Sequence, residues 1–115
     1  MKKSLSVLFI LLSLTGCSEQ SSIENAVREN LRDPESAQFK NTVVSKNSTQ
    51  ACVEWNSKNS FGGYGNWDVA LLKKDNGLWT VSEMQVPSKR IHMCSKERLD
   101  LNDSYVETRN KLLGR

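Results

Sequence analysis

The soft nucleophiles and metal ligands of this 115-residue chain are few: three thiols, Cys17, Cys52 and Cys94, and one imidazole, His92. Any acid–base or nucleophilic mechanism near neutral pH would have to run through that histidine. His92 and Cys94 stand two apart, a spacing that puts both on one face of a strand. A structural zinc site takes four ligands and a catalytic one at least three, so the pair alone holds no metal. No glycine-flanked serine nucleophile, paired-histidine motif or phosphate-binding glycine loop occurs. The expectation is therefore no enzyme, no metal and no cofactor. A small hydrolase using His92 is the least favoured class.

Cys17 belongs to a different pattern. Lys2 and Lys3 precede an apolar run from Leu5 to Leu14 broken only by Ser6 and Ser13, and small residues follow it. A positive start, a short apolar core and a small-residue end make a secretory signal peptide. The run is about half of the roughly 20 apolar residues that a membrane-spanning helix requires. Leu14-Thr15-Gly16-Cys17 resembles the lipobox of bacterial lipoproteins. The resemblance implies that Cys17 takes a diacylglyceryl group on its thiol, that the leader 1–16 is removed, and that the new amino group is acylated. The partner it implies is the lipid bilayer, and the location is the cell envelope. Ser18, next to the modified cysteine, resembles residues that permit export to the outer membrane, so the periplasmic face of that membrane is expected in a two-membrane cell.

Composition limits what remains. Removal of Lys2 and Lys3 from sixteen basic residues, against thirteen acidic ones, lowers the formal charge from +3 to +1. No basic run survives to follow a phosphate backbone, so no nucleic acid is expected as partner. A single domain over 23–115, expected to be a monomer, is left for one thin core, because small domains bury a lower fraction of their surface. With Cys17 lipidated, Cys52 and Cys94 are the only remaining thiols. In an oxidising compartment small domains commonly gain a disulfide, and these two residues then have only each other.

The elements that hold these residues follow from periodicity. Residues 17–22 read as a lipidated polar tether, whose five residues after the cysteine reach about 17 Å when extended. Ser21 and Glu24 read as a capping box, and Ile23, Ala26, Val27 and Leu31 fall on one helical face. Pro34 ends that helix and opens a single turn capped by Asp33, which aims Ala37 and Phe39 at the core. Strands follow over 39–45 and 51–56, joined by a polar turn at 46–49. Val53 and Trp55 share one face of the second strand, Cys52 and Glu54 the other. Trp67, Val69 and Leu71 alternate, as do Trp79 and Val81 after Asp75-Asn76-Gly77. A two-residue Asn-Gly turn pairs Trp79 and Val81 with Lys74 and Leu72. A three-residue loop pairs them with Lys73 and Leu71, and is preferred because it joins both apolar stripes. Arg90–Cys94 is expected as a short edge strand. A last helix is expected from Asn102, with Leu101 and Val106 as a staple, Tyr105, Arg109, Leu112 and Leu113 along one face, and Gly114 as its stop. The fold class is α+β: an N-terminal helix on an antiparallel meander of about four strands, a C-terminal helix and one disulfide.

The loop Ser60-Phe61-Gly62-Gly63-Tyr64-Gly65-Asn66-Trp67 sets three aromatics among three glycines. Phe61, Tyr64 and Trp67 are candidate partner-binding residues, because rigid aromatic anchors supply much of the binding energy at interfaces. The other reading is a hairpin loop whose aromatics fold back over the core. Asp33-Pro34-Glu35-Ser36-Ala37-Gln38-Phe39, then Cys52, then Asn56 to Tyr64, resembles a pattern of small exported bacterial proteins, some of them phage-borne. That family has no characterised activity, and this chain has Val53 where the pattern has glycine. The resemblance implies a small α+β module and no active site. The functional expectation is a membrane-anchored envelope lipoprotein acting as a binding module for an envelope protein, either a phage or prophage product for receptor blocking or superinfection exclusion, or a housekeeping envelope component. The alternative is a periplasmic inhibitor of a hydrolase such as lysozyme.

Overall fold

A computed structural model describes residues 19–114. The expected leader and the lipid-bearing Cys17 lie outside the described residues. The order of elements is helix α1 (19–28), a 3-10 turn Pro34–Ser36, strands β1 (Gln38–Val44), β2 (Gln50–Asn56), β3 (Asp68–Asp75) and β4 (Leu78–Glu83), a 3-10 segment Ser88–Cys94, and helix α2 (Lys96–Leu112). The strands form one antiparallel sheet in the order β1-β2-β3-β4. The α+β architecture with its two helices and four-strand meander is as expected.

α1 lies on one face of the sheet. Ile23 and Val27, both fully buried, and Ala26 pack on Ala51, Val53, Ala70, Leu72 and Trp79. Ala26, Ala51 and Ala70 are the small members of this cluster and leave room for the helix to approach the sheet. Leu31, Phe39, Val44, Trp55, Val81 and Met84 close the margin. The helix is already formed at residue 19, so Ser21 is not its cap and residues 19–22 are not a free tether. The reason is local: Glu19 pairs with Lys74 at 3.4 Å, and Gln20 Nε2 donates to Glu24 at 2.5 Å and to Thr42 Oγ1 at 2.8 Å. These contacts give the polar segment partners on its own helix and on the sheet. Asp33 stands at the N-cap of the 3-10 turn with Pro34 following, as expected, although its side chain makes no capping bond.

The β3–β4 register corrects the expected one. Leu72 pairs with Val81 and Lys74 with Trp79, across a two-residue Asn76-Gly77 turn whose φ angles are both positive, 50° and 79°. Asn-Gly suits this mirror-image turn because its twist matches that of the strands. The core face of β3 is thus Ala70 and Leu72, while Val69 and Leu71 face the other side. Two irregularities reset the alternation. One lies between Lys40 and Val43 in β1, where Asn41 takes φ 53°, and one lies between Leu71 and Leu72 on the β3–β4 ladder. An extra residue on one strand bends it and reverses which face later side chains reach. Val44 and Met84 join the core by this means.

The second face is held differently. Cys52 and Cys94 form the expected disulfide, Cα–Cα 5.6 Å, which ties the 3-10 segment to β2. Closing a loop of 42 residues restricts the unfolded chain by about 4 kcal/mol in the entropy account. Residues 88–94 are 3-10 turns and not the expected edge strand. Pro87 opens the segment, and the Arg90 amide donates back to the Pro87 carbonyl at 2.8 Å. α2 begins at Lys96, six residues before the expected Asn102. Ser95 is its cap, accepting from the Arg98 amide at 3.3 Å. Leu99 is its only buried apolar residue, and Leu101 is exposed, so no staple forms. Gly114, φ 69°, follows the helix end as expected.

α2 is docked by carboxylates. Asp103, 3 % exposed, accepts at Oδ1 from Ser45 Oγ at 2.8 Å and from Thr49 Oγ1, and at Oδ2 from the Asn47 amide at 2.7 Å. Asp100 accepts from the Lys46 amide at 2.6 Å and from Lys96 Nζ at 2.9 Å. Asn102 donates to Gln50 at 3.2 Å. The polar 45–49 turn is therefore the receptor for the helix. The Lys96 ammonium first, then the Lys46 amide, hold the Asp100 carboxyl below the usual carboxylate range.

The sheet has two distinct ends. The 45–49 and 76–77 turns lie at one. The loop from β2 to β3 lies at the other, roughly 20–25 Å away at about 3.3 Å per residue. α1 runs antiparallel to β1: Glu19 and Gln20 meet Lys74 and Thr42, while the Arg28 guanidinium stands 5.0 Å over the Phe39 ring. The chain therefore enters the domain at the turn end.

Candidate functional site

The loop between Asn56 and Asp68 is built from short-range hydrogen bonds. Asn59 Oδ1 accepts from the amides of Phe61 at 2.9 Å and Gly63 at 3.2 Å, an Asx-type turn. The Asn59 amide donates to the Gly63 carbonyl at 2.8 Å, and the Gly62 amide donates to the Asn59 carbonyl at 3.0 Å. Gly62, at φ 80°, supplies the left-handed residue this tight loop requires. Lys58 and Tyr64 form an isolated bridge at the base. Asn56, 5 % exposed, donates from Nδ2 to the Gly65 carbonyl at 3.0 Å and fastens the return strand.

The loop is also fastened to the 3-10 turn. Tyr64 Oη donates to the Ser36 carbonyl at 2.9 Å, and the Lys58 amide donates to Ser36 Oγ at 2.9 Å. Segments 33–39 and 56–64 thus meet at Ser36. Their polar residues have a structural task, which is to shape and seat the loop.

The three candidate aromatics do not share one surface role. Phe61 is 96 % exposed. Tyr64 is tied to Ser36, with the Lys58 ammonium 5.9 Å from its ring centre. Trp67 has Lys40 Nζ 4.1 Å over its ring, a cation–π contact on the disulfide side of the sheet. None of the three folds back over the core cluster. Phe61 is the presented residue, and Tyr64 and Trp67 are in part braces.

His92 is exposed on the 3-10 segment, and Cys94 is consumed by the disulfide. The expected shared strand face does not form, since residues two apart in a 3-10 turn point in different directions. Among the described residues no group of three or more His, Cys, Asp or Glu side chains is placed to hold a metal ion. A shallow groove of about 380 Å³ runs beside the disulfide, lined by Val43, Cys52, Val69, Ile91 and Cys94 with Asn41 and Glu54 at its edge. Sequence reasoning missed this groove, because it follows from the bulge at Asn41 and from Val69 facing away from α1.

Among the described residues no helix is long and apolar enough to cross a membrane. The model of the prokaryotic membrane lipoprotein lipid attachment site matches residues 1–18. No curated protein and no solved structure matches the chain. The match spans the expected leader and Cys17. It supports a bacterial lipoprotein, held at the cell envelope by a lipid on Cys17.

Proposed function

We propose that this lipoprotein acts by binding an envelope protein, without catalysis, and that the 57–67 loop is its contact surface with Phe61 as the anchor. The observation that carries the reading is a phenyl ring 96 % exposed at the tip of a loop closed by Asn59, Asn56 and Tyr64. A loop already ordered loses little conformational freedom on binding. An aromatic side chain on it can contribute several kcal/mol to a complex. The loop lies at the sheet end opposite the chain's entry, which in this reading holds Phe61 away from the bilayer.

Ser18 favours the periplasmic face of the outer membrane in a two-membrane cell, which membrane fractionation tests. Receptor blocking or superinfection exclusion is the first form of such binding to test, and inhibition of a hydrolase such as lysozyme is the second. Cells carrying the gene are expected to resist phage infection, and cells carrying Phe61→Ala to be sensitive. Protection against lysozyme alone would replace this reading with the inhibitor. Full phage resistance in the Phe61→Ala cells would remove the loop from the mechanism.

A further inference from the structure

The lipid-bearing Cys17 precedes the first described helical residue, Glu19, by two positions, a span of at most about 7 Å. Glu19 is paired to Lys74 on β3, whose amide donates to the Thr49 carbonyl at 2.8 Å, and the Thr49 hydroxyl donates to Asp103 of α2. A continuous path of contacts thus sets the middle of α2 at the same end of the domain as the acyl chains. From there α2 continues through Leu112 without burying another residue.

This stretch has an apolar stripe. Leu101, Tyr105 and Leu112 recur at helical spacing and are 56 %, 68 % and 82 % exposed, with Leu113 beside them at 53 %. Tyr105, Thr108, Arg109, Leu112 and Leu113 line a shallow depression of about 360 Å³. Glu107 pairs with Lys111 at 3.4 Å, and Arg109 has no ion-pair partner among the described residues. Leu78, 70 % exposed, stands after the 76–77 turn at this same end. α2 as a whole is charge-balanced and carries Leu99 on the opposite side, so this stripe alone fits a membrane surface: its leucines and tyrosine suit the headgroup–acyl boundary, and Arg109 beside them suits the phosphates.

We infer that the stripe Leu101–Tyr105–Leu112 of α2 is a second membrane contact, resting on the same leaflet that holds the lipid of Cys17. A single-point anchor leaves the domain free to swivel. Two points of contact fix its orientation, with the 57–67 loop held upright. The inference rests on the lipid anchor and is independent of what the loop binds.

The test uses the full lipidated protein in vesicles of phosphatidylethanolamine and phosphatidylglycerol, with and without brominated acyl chains. Leu112→Trp, at an exposed position, reports on the stripe, and Phe61→Trp reports on the loop tip. The native tryptophans are subtracted as a common background. A side chain resting about 5–10 Å into the boundary layer is within reach of bromine. The emission added by Leu112→Trp is therefore expected to fall about twofold or more in brominated vesicles, and that of Phe61→Trp to stay unchanged. Arg109→Glu in the Leu112→Trp background is expected to weaken the quenching. Unquenched emission from Leu112→Trp would overturn the inference. So would emission that responds to protein density but not to bromine, which would put a second copy of the chain on the stripe.

Discussion

The two faces of the sheet are stabilised by different physics, although β2 contributes to both. Toward α1, Ala51 and Val53 enter a dry cluster with Ile23, Val27, Ala70 and Leu72, all of them fully buried. On the other face Cys52 enters a disulfide, and the helix above it buries one leucine and is otherwise held by Asp100 and Asp103. A chain of this length has enough apolar residues to cover one side of its sheet. The other side is closed by a cross-link and by charged hydrogen bonds, which need geometry more than area. The apolar face is therefore expected to withstand reduction and acid better than the other.

Emptying the apolar face is the most severe way to break that comparison. Leu72→Ala is expected to destabilise the domain by about 2–5 kcal/mol, measured by thermal or urea unfolding, whether the disulfide is oxidised or reduced. The cross-linked face comes next. Cys52→Ala/Cys94→Ala, or reduction, is expected to cost about 2–4 kcal/mol while leaving the near-ultraviolet dichroism of the buried Trp79 in place. Loss of that signal at low temperature would mean that the apolar face cannot stand alone.

Asp103→Ala sharpens the contrast further. It strands Ser45, Thr49 and the Asn47 amide, and hydrogen bonds to a charged group contribute about 1.5–3 kcal/mol each. Water can reach the exposed Asn47 amide and the half-buried Thr49 hydroxyl, which leaves the buried Ser45 hydroxyl as the main stranded group. A net loss of about 2 kcal/mol is expected, with faster hydrogen exchange confined to α2 and the 45–49 turn. Equal acceleration in α1 would show the two faces to be one cooperative unit. A smaller effect is expected from pH. The carboxyl of Asp100 is held below its unfolded value, so its contribution is fully present above the unfolded pKa and is lost as pH falls through the folded one. Lys96→Ala should shrink the acid-side loss of α2 docking, read by exchange in acidic buffer. An unchanged profile would take Asp100 out of the clamp.

The same contrast explains what was legible in the sequence. Helical spacing of Ile23, Ala26 and Val27, the turn at Pro34 and the meander are apolar signals, and they locate α1 and the strands. The thiols, once Cys17 was set aside, left one pairing. The hairpin register is not legible, because Val69 and Leu71 are larger than Ala70 and advertise the wrong face. A slip of one residue then exchanges every side chain. α2 was placed late because its first two turns are held by Asp100 and Asp103, and carboxylate docking has no periodic signature. The bulge at Asn41 and the reach of Glu19 to Lys74 depend on partners distant in sequence. At the candidate site the aromatic loop was evident from composition. The division of labour that leaves Phe61 presented and Tyr64 and Trp67 braced needed Ser36 and Lys40 in place.

We propose that the 57–67 loop, at the far end of the domain from the lipid anchor, serves contact and not stability. Thermal unfolding of Phe61→Ala beside the native protein, with phage resistance scored in cells expressing each at equal level, tests it most directly. A side chain 96 % exposed should change stability by less than about 0.5 kcal/mol on removal. An unchanged melting midpoint together with lost resistance is expected. A midpoint lowered by several degrees, or resistance retained at an unchanged midpoint, would contradict it.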